Sequence, residues 1–389
     1  MHPVDARRDR PRPDGPRSRP VLVSAGPGES PGNVGRVSEP PASRLLVRAE
    51  GSVGRITLHR PEAINAVDHG MIRGIADALD RWERHPDIRL VLLDGAGDRG
   101  FCAGGDVRTL REQILAGDAA AAMGFFRDEY ALNARIAEYP KQIVVFADGV
   151  TMGGGIGLAG HASVRIVTER SRLAMPETRI GFTPDVGGSW LLAHAPGRVG
   201  EYLALTGGTM DAADAVYAGF ADHVVPADRL DDVRHALVTR ADPDTPTEIA
   251  MLFDETPEPA RLAAAREWID DAFAAASVPE IIARLRERSE PDAGATADLL
   301  ETQAPTALTV TLAAVRSARG LPDLRAALAQ EYALVEWFGR TQPDLVEGIR
   351  AQLVDKDRSP RWQPASLSEV PADTAERALS FIPTAPLWS

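Results

Sequence analysis

Cysteine is almost missing from this chain. Cys102 is the single one in 389 residues, so no disulfide can form within it. No run of about 18 apolar residues occurs, so no spanning helix is expected. Basic clusters are absent from the part that reads as folded. The 43 Lys and Arg are outnumbered by 56 Asp and Glu, and the net charge is −13. Nucleic acid and membrane are therefore not expected partners, and any anion site must be local. Metal-ligand spacing is also missing, because His59, His69, His161, His194 and His223 are scattered. The stretch 20–25 is too short and too weakly apolar for a secretory signal. A cytoplasmic protein is expected.

What is present divides unevenly. Residues 1–43 are rich in Pro, Arg, Gly and Ser and read as a disordered leader or a misplaced start. Asp5, Asp9 and Asp14 count against an organellar address. The remainder has an ordinary globular composition, 44% hydrophobic and 25% charged. Its length suits one large domain with an extension, or two domains. Strands are expected over 46–48 and 53–58, around the turn Glu50-Gly51-Ser52. Asp68 is placed to cap a helix reaching about Arg84, with Met71, Ile75, Leu79 and Trp82 at helical spacing. Further strands are expected over 90–93, 142–147, 163–168 and 220–225. Helices are expected over 153–159, 186–195, 199–206 and 212–218. This alternation predicts an α/β fold of stacked units over 44–230. Beyond about Leu230 strand signals stop, and 231–389 reads as a helical region and tail, with breaks at Asp242-Pro243, Pro257-Glu258-Pro259 and Gly320-Leu321-Pro322.

Three stretches carry chemistry. Phe101-Cys102-Ala103-Gly104-Gly105-Asp106 follows a strand, and Met152-Gly153-Gly154-Gly155-Ile156-Gly157 joins a strand to a helix. Glycine lets a ligand approach the backbone, and a helix start leaves N–H groups unpaired. Two such turns side by side would offer two donors to one oxygen, an oxyanion hole. Taken singly, each is equally a tight turn. The triple glycine lacks the third glycine of a dinucleotide fingerprint and the Lys-Ser/Thr of a P-loop. The third stretch runs from Met175 to Gly188 and sets Glu177 and Asp185 among apolar and turn residues. Carboxylates in an apolar pocket have raised pKa values and can act as base, acid or nucleophile. The plainer alternatives are Glu177 as a helix N-terminal charge and Asp185 as the N-cap of helix 186–195.

As a set these stretches are far more specific. Arg60-Pro61 followed by Asn65-Ala66, then Phe101 to Asp106, the triple glycine, Pro176-Glu177, Pro184-Asp185-Val186-Gly187-Gly188, Leu205-Thr206-Gly207 and Ala218-Gly219-Phe220-Ala221 occur in order. Over about 45–230 the chain resembles the crotonase (enoyl-CoA hydratase/isomerase) superfamily. The resemblance implies a spiral of strand-strand-helix units and a coenzyme A thioester whose carbonyl rests on the amides of Gly105 and Gly154. It also implies that 62–66 lines the adenine end, with Ala63 and Asp106 among the substrate-binding residues. Coenzyme A is then part of the substrate, no other cofactor is implied, and a homo-oligomer stays open as a partner.

One departure separates branches of that superfamily. Hydratases of the family use two glutamates, and the position of the first is Gly157 here, while the second corresponds to Glu177. A branch that keeps the Pro-Glu acid, has Gly at the first position and adds the Asp of Pro-Asp-Val-Gly-Gly hydrolyses 3-hydroxyisobutyryl-CoA, a step of valine catabolism. Phe125 to Tyr130, Ala304 to Leu308, Glu347-Gly348-Ile349-Arg350-Ala351 and the run from Asp355 to Trp362 resemble that branch as well. The resemblance implies a substrate contact at Glu129. Thioester hydrolysis is the leading expectation. An enoyl-CoA hydratase or isomerase working mainly through Glu177, and a non-catalytic acyl-CoA-binding protein, are the alternatives.

Overall fold

The computed structural model describes residues 44–240 and 245–388. The expected leader and the Asp242-Pro243 break lie outside them. Strands β1 (Leu45–Glu50) and β2 (Val53–Leu58) form an antiparallel hairpin, Glu50 opposite Val53. Then follow α1 (His69–Glu83), β3 (Leu90–Gly95), α2 (Val107–Leu115), α3 (Ala119–Ala137), β4 (Ile143–Phe146), β5 (Val150–Met152), α4 (Gly154–Ala159), β6 (Val164–Val167) and β7 (Arg172–Ala174). Next come α5 (Gly188–His194), α6 (Val199–Thr206), α7 (Ala212–Tyr217) and β8 (His223–Val224). The rest is helical: α8 (Leu230–Arg240), α9 (Pro246–Met251), α10 (Arg261–Phe273), α11 (Val278–Glu287), α12 (Pro291–Thr302), α13 (Pro305–Ala318), α14 (Leu324–Thr341), α15 (Asp344–Ile349) and α16 (Thr374–Leu379).

The main sheet has the order β1-β2-β3-β4-β6-β8, parallel after the first hairpin, and β5 pairs with β7 in a small parallel sheet. Parallel strands are covered on both faces and read as unbroken apolar runs. In β3, Val91 and Leu93 enter one core while Leu90 and Leu92 enter another. In β4, Ile143 and Val145 part from Val144 and Phe146 in the same way. The smaller core is closed by Leu230, Val233 and Leu237 of α8 and Ile249 of α9. The larger holds α1, α3, α5, α6 and most of the C-terminal helices. Both cores therefore run past residue 230, where the change is one of element type.

Local signals explain most elements. Asp68 caps α1 by accepting from the Met71 N–H at 2.9 Å, a contact that contributes about 1 kcal/mol. Met71, Ile72, Ile75, Leu79 and Trp82 of that helix are buried. Two expectations shorten. Strand 220–225 is reduced to His223–Val224, because the Phe220 and Ala221 N–H groups close α7 by donating to the Ala215 carbonyl. Helix 186–195 begins only at Gly188. Strands β5 and β7, three residues each, are too short to show a period.

Candidate active site

Backbone pairing brings the two glycine turns together. The Cys102 N–H donates to the Val150 carbonyl at 3.1 Å, and the Met152 N–H donates to the Cys102 carbonyl at 3.0 Å. The 101–105 loop thus runs parallel to β5 and ends beside Gly153 and Gly154. Val67 laces the loop on either side of Gly105, donating to the Gly104 carbonyl and accepting from the Asp106 N–H, both at 2.9 Å. The Gly105 N–H is left on the other side. Gly154 is the first residue of α4, where no intrahelical acceptor exists. Among the described residues neither amide donates a hydrogen bond. A Cβ on Gly154 would lie 3.1 Å from the Gly105 nitrogen and 2.7 Å from Glu129 Oε1, so only glycine leaves this point open.

Three carboxylates converge on these turns. The Gly153 N–H donates to the Ala174 carbonyl at the end of β7, so the chain reaches Glu177 next to the triple glycine. Glu177 Oε1 is 3.0 Å from where a Gly153 Cβ would lie. Its Oε2 is buried without a partner, as is Oε1 of Glu129 on α3. Asp185 accepts from the Tyr130 hydroxyl at 2.8 Å. Burial pushes the Glu129 and Glu177 carboxyls well above the usual range, and the nearby Asp185 charge adds to it. Burial raises Asp185 to about 7, against the lowering effect of the Tyr130 bond. No arginine or lysine pairs with any of the three among the described residues. They therefore hold fewer charges near neutrality than isolated acids would.

Asp185 does not cap α5. That helix has Gly187 at its N-cap; Glu331 of α14 accepts from Gly187 N at 2.7 Å and Ser189 N at 2.9 Å, and the Gly188 N–H donates to the Asp185 main-chain carbonyl at 2.6 Å. Glu177 does open the single turn Glu177–Ile180, where a helix N-terminal charge would stand. The segment between Asp185 and α5 is strained, because Val186, a β-branched residue, has φ +53°. Such a conformation costs about 1–3 kcal/mol and persists only where its surroundings impose it. Here His161 Nε2 donates to the Val186 carbonyl at 2.8 Å, and Glu331 holds the next amide. Burial lowers His161 to about 4, so the ring is neutral and its proton sits on Nε2, since a carbonyl can only accept.

At Gly157 a Cβ would lie 2.7 Å from Val186 Cβ and 2.8 Å from Asn133 Nδ2. The space a hydratase-type glutamate would use is occupied. Other expected residues sit at the margin. Ala63 is half-buried at the end of an otherwise exposed single turn, and Asp106 pairs with Arg60 at 3.0 Å. The Asn65 of the first motif is structural: it accepts from Arg60 N and donates to the Ala96 and Gly100 carbonyls, fixing the approach to the first glycine turn. The tail motif is a knot in which Arg350 binds Glu347, Asp355 and Asp357, and α15 packs on the Glu177–Ile180 turn. Sequence reasoning missed Tyr130, Asn133, His161 and Glu331. For Asn133 a signal existed, its place four residues after Glu129 on a helix.

The enoyl-CoA hydratase/isomerase family model matches residues 53–379, and the chain belongs to that family. It is 36% identical over 354 residues to the mitochondrial 3-hydroxyisobutyryl-CoA hydrolase of Danio rerio, covering 89% of this chain and 92% of that protein. The Xenopus tropicalis protein of the same name is 39% identical over 336 residues, covering 85% and 86%. The crystal structure of a carnitinyl-CoA dehydratase from Mycobacterium thermoresistibile superposes with a TM-score of 0.83 at 45% identity, covering 88% of this chain and 97% of that one.

Proposed function

We propose that this protein hydrolyses the thioester of 3-hydroxyisobutyryl-CoA or a close short 3-hydroxyacyl-CoA. The observation that carries this reading is the filled space at Gly157 together with two buried acids that no cation pairs among the described residues, Glu177 and Asp185. The relatives named as hydrolases support it over most of the chain. In this reading the thioester carbonyl oxygen accepts from the Gly105 and Gly154 amides, and charge builds there as the carbon becomes tetrahedral. One donor of this kind contributes about 2.7–4 kcal/mol. Glu177, ionised, either takes a proton from water as its oxygen attacks the carbonyl carbon, or attacks that carbon itself to give an anhydride that water then opens. In both routes the C–S bond breaks, the acid and coenzyme A are released, and the thiolate takes up a proton. Asp185, held by Tyr130, binds the substrate hydroxyl or helps move that proton. Glu129 and Ala63 contact the substrate, and Asp106 orients Arg60 at the margin of the nucleotide end. Coenzyme A enters with the substrate, and no further cofactor is proposed.

Free-thiol release from a panel of acyl-CoA esters tests this. Rapid release from 3-hydroxyisobutyryl-CoA, with little hydration of crotonyl-CoA, is expected. Hydration of crotonyl-CoA without thiol release would favour the second reading, a hydratase or dehydratase, which the name of the solved structure supports. Tight acyl-CoA binding without turnover would point to a non-catalytic binder. The cytoplasmic location is likewise a proposal, set against relatives named mitochondrial. Fractionation of the native cell, including its organelles where present, tests it.

A further inference from the structure

Asn133 is fully buried on α3, and among the described residues both its Oδ1 and its Nδ2 lack a hydrogen-bond partner. Buried amides are almost always paired, and each unmet group costs about 1–3 kcal/mol. At an active site such a group can be met by a bound molecule. The position shows what that is. Glu129, Tyr130 and Asn133 are spaced so that α3 presents them on neighbouring positions of one face. Glu129 abuts Gly154, Tyr130 holds Asp185, and Asn133 abuts Gly157 and Val186, the residue after Asp185. From Gly154 to Gly157 is about one turn of α4, on the order of 5 Å.

We infer that Asn133 is a specificity-determining residue whose carboxamide binds the 3-hydroxyl of the acyl group. This rests on the hydrolase reading proposed above and names a second partner for the hydroxyl in it. The hydroxyl of a 3-hydroxyacyl thioester lies three bonds from the carbonyl carbon. With the carbonyl oxygen on Gly105 and Gly154, that hydroxyl reaches the Gly157 end of the site. A hydroxyl both donates and accepts. Asp185 can accept its proton, and Asn133 Nδ2 can donate to its oxygen. Asn133 Nδ2 lies 2.8 Å from where a Gly157 Cβ would be, a point it shares with Val186, and neither end of the amide has a partner among the described residues. Gly157 is then bare for a positive reason: a side chain there would displace the amide that reads the substrate.

The test compares kcat/KM for 3-hydroxyisobutyryl-CoA and isobutyryl-CoA in the full chain, wild type against Asn133→Leu and Asn133→Ala, with folding checked by circular dichroism. A site built around a hydroxyl rejects the analogue without it. The wild type should strongly prefer the hydroxylated ester. Each variant should lower that preference by about 10- to 100-fold, through loss on the hydroxylated ester, while isobutyryl-CoA cleavage changes by less than about threefold. Asn133→Ala keeps the test alive if the bulkier leucine does not fold. Equal loss on both esters in a folded variant would overturn the inference, since Asn133 would then serve the water or the scaffold. An unchanged preference would overturn it too. Failure of the underlying reading looks different: the wild type itself would release no thiol or show no preference for the hydroxyl, and the inference would fall with it.

Discussion

Two sets of buried acids in this protein differ in their company. Glu201 on α6 is fully buried, and it accepts from Arg198 at 2.8 Å and Arg319 at 2.7 Å, with Arg316 at 3.8 Å. It ties α6 to α13 and the turn after it. Glu129, Glu177 and Asp185 are nearly as buried, yet among the described residues no cation pairs with them and two of their oxygens have no partner. Burial by itself thus says little about chemistry. An acid kept underground with its charge answered is architecture, because breaking the pair leaves charges stranded. One kept there with its charge unanswered weakens the fold near neutrality; Glu331, raised to about 8 while it serves the start of α5, shows that such an acid can still be architecture, so the active-site trio is marked out by converging on the two glycine turns.

The largest contrast is expected at Glu177. Glu177→Gln should lower thiol release by about 10³-fold, within the range for a lost acid/base group, and leave acyl-CoA binding within a few-fold. Its melting temperature should not fall, because a neutral amide removes a charge that burial disfavours. Retention of more than a tenth of wild-type rate would remove Glu177 from the chemistry.

Asp185→Asn sharpens the contrast through pH. Asp185 is raised to about 7 in the folded chain, so between the ordinary carboxylate range and pH 7 the native state binds more protons than the unfolded one. Its contribution to stability is therefore greatest at acid pH and is lost as pH rises toward 7, by a few kcal/mol at most. The asparagine variant should gain stability over wild type at pH 8 and lose that gain as pH falls toward 4, measured by urea unfolding. Because the Asp185 charge helps hold Glu177 up, the acid limb of the variant's residual pH–rate profile should move to lower pH. A limb that stays in place would uncouple the two acids.

Glu201→Gln should act in the opposite sense, costing about 2–4 kcal/mol of stability while each folded molecule keeps near-normal turnover. A stabilised variant would mean that Glu201 and the active-site acids are alike after all. The smallest effect concerns the bare position. Gly157→Glu should cost about 1–3 kcal/mol through overpacking against Val186 and Asn133 and should not install crotonyl-CoA hydration. Strong hydration would show that the neighbours yield easily.

Much of the site was legible before the structure. The two glycine turns, Glu177, Asp185 and Glu129 stand in short stretches whose order is specific, and the cap at Asp68 and the helical region after 230 follow from local chemistry. Asp185 shows the limit of such reading. Its place before an apolar stretch suits an N-cap, and only the position of Glu331, 144 residues beyond Gly187, reveals that the helix start is already served.

The chain alone determined the residue types that chemistry needs and the backbone freedom of the turns, because these depend on neighbours within a few positions. Tertiary structure alone decided which acids would lack a cation, which amide would face Gly157, and how Val186 could be held in a strained conformation by His161. Those outcomes depend on burial and on contacts between distant segments. Desolvation, which sets the pKa values of the three acids, exists only once α3, α4 and the turn after β7 have packed together and water has left the space between them.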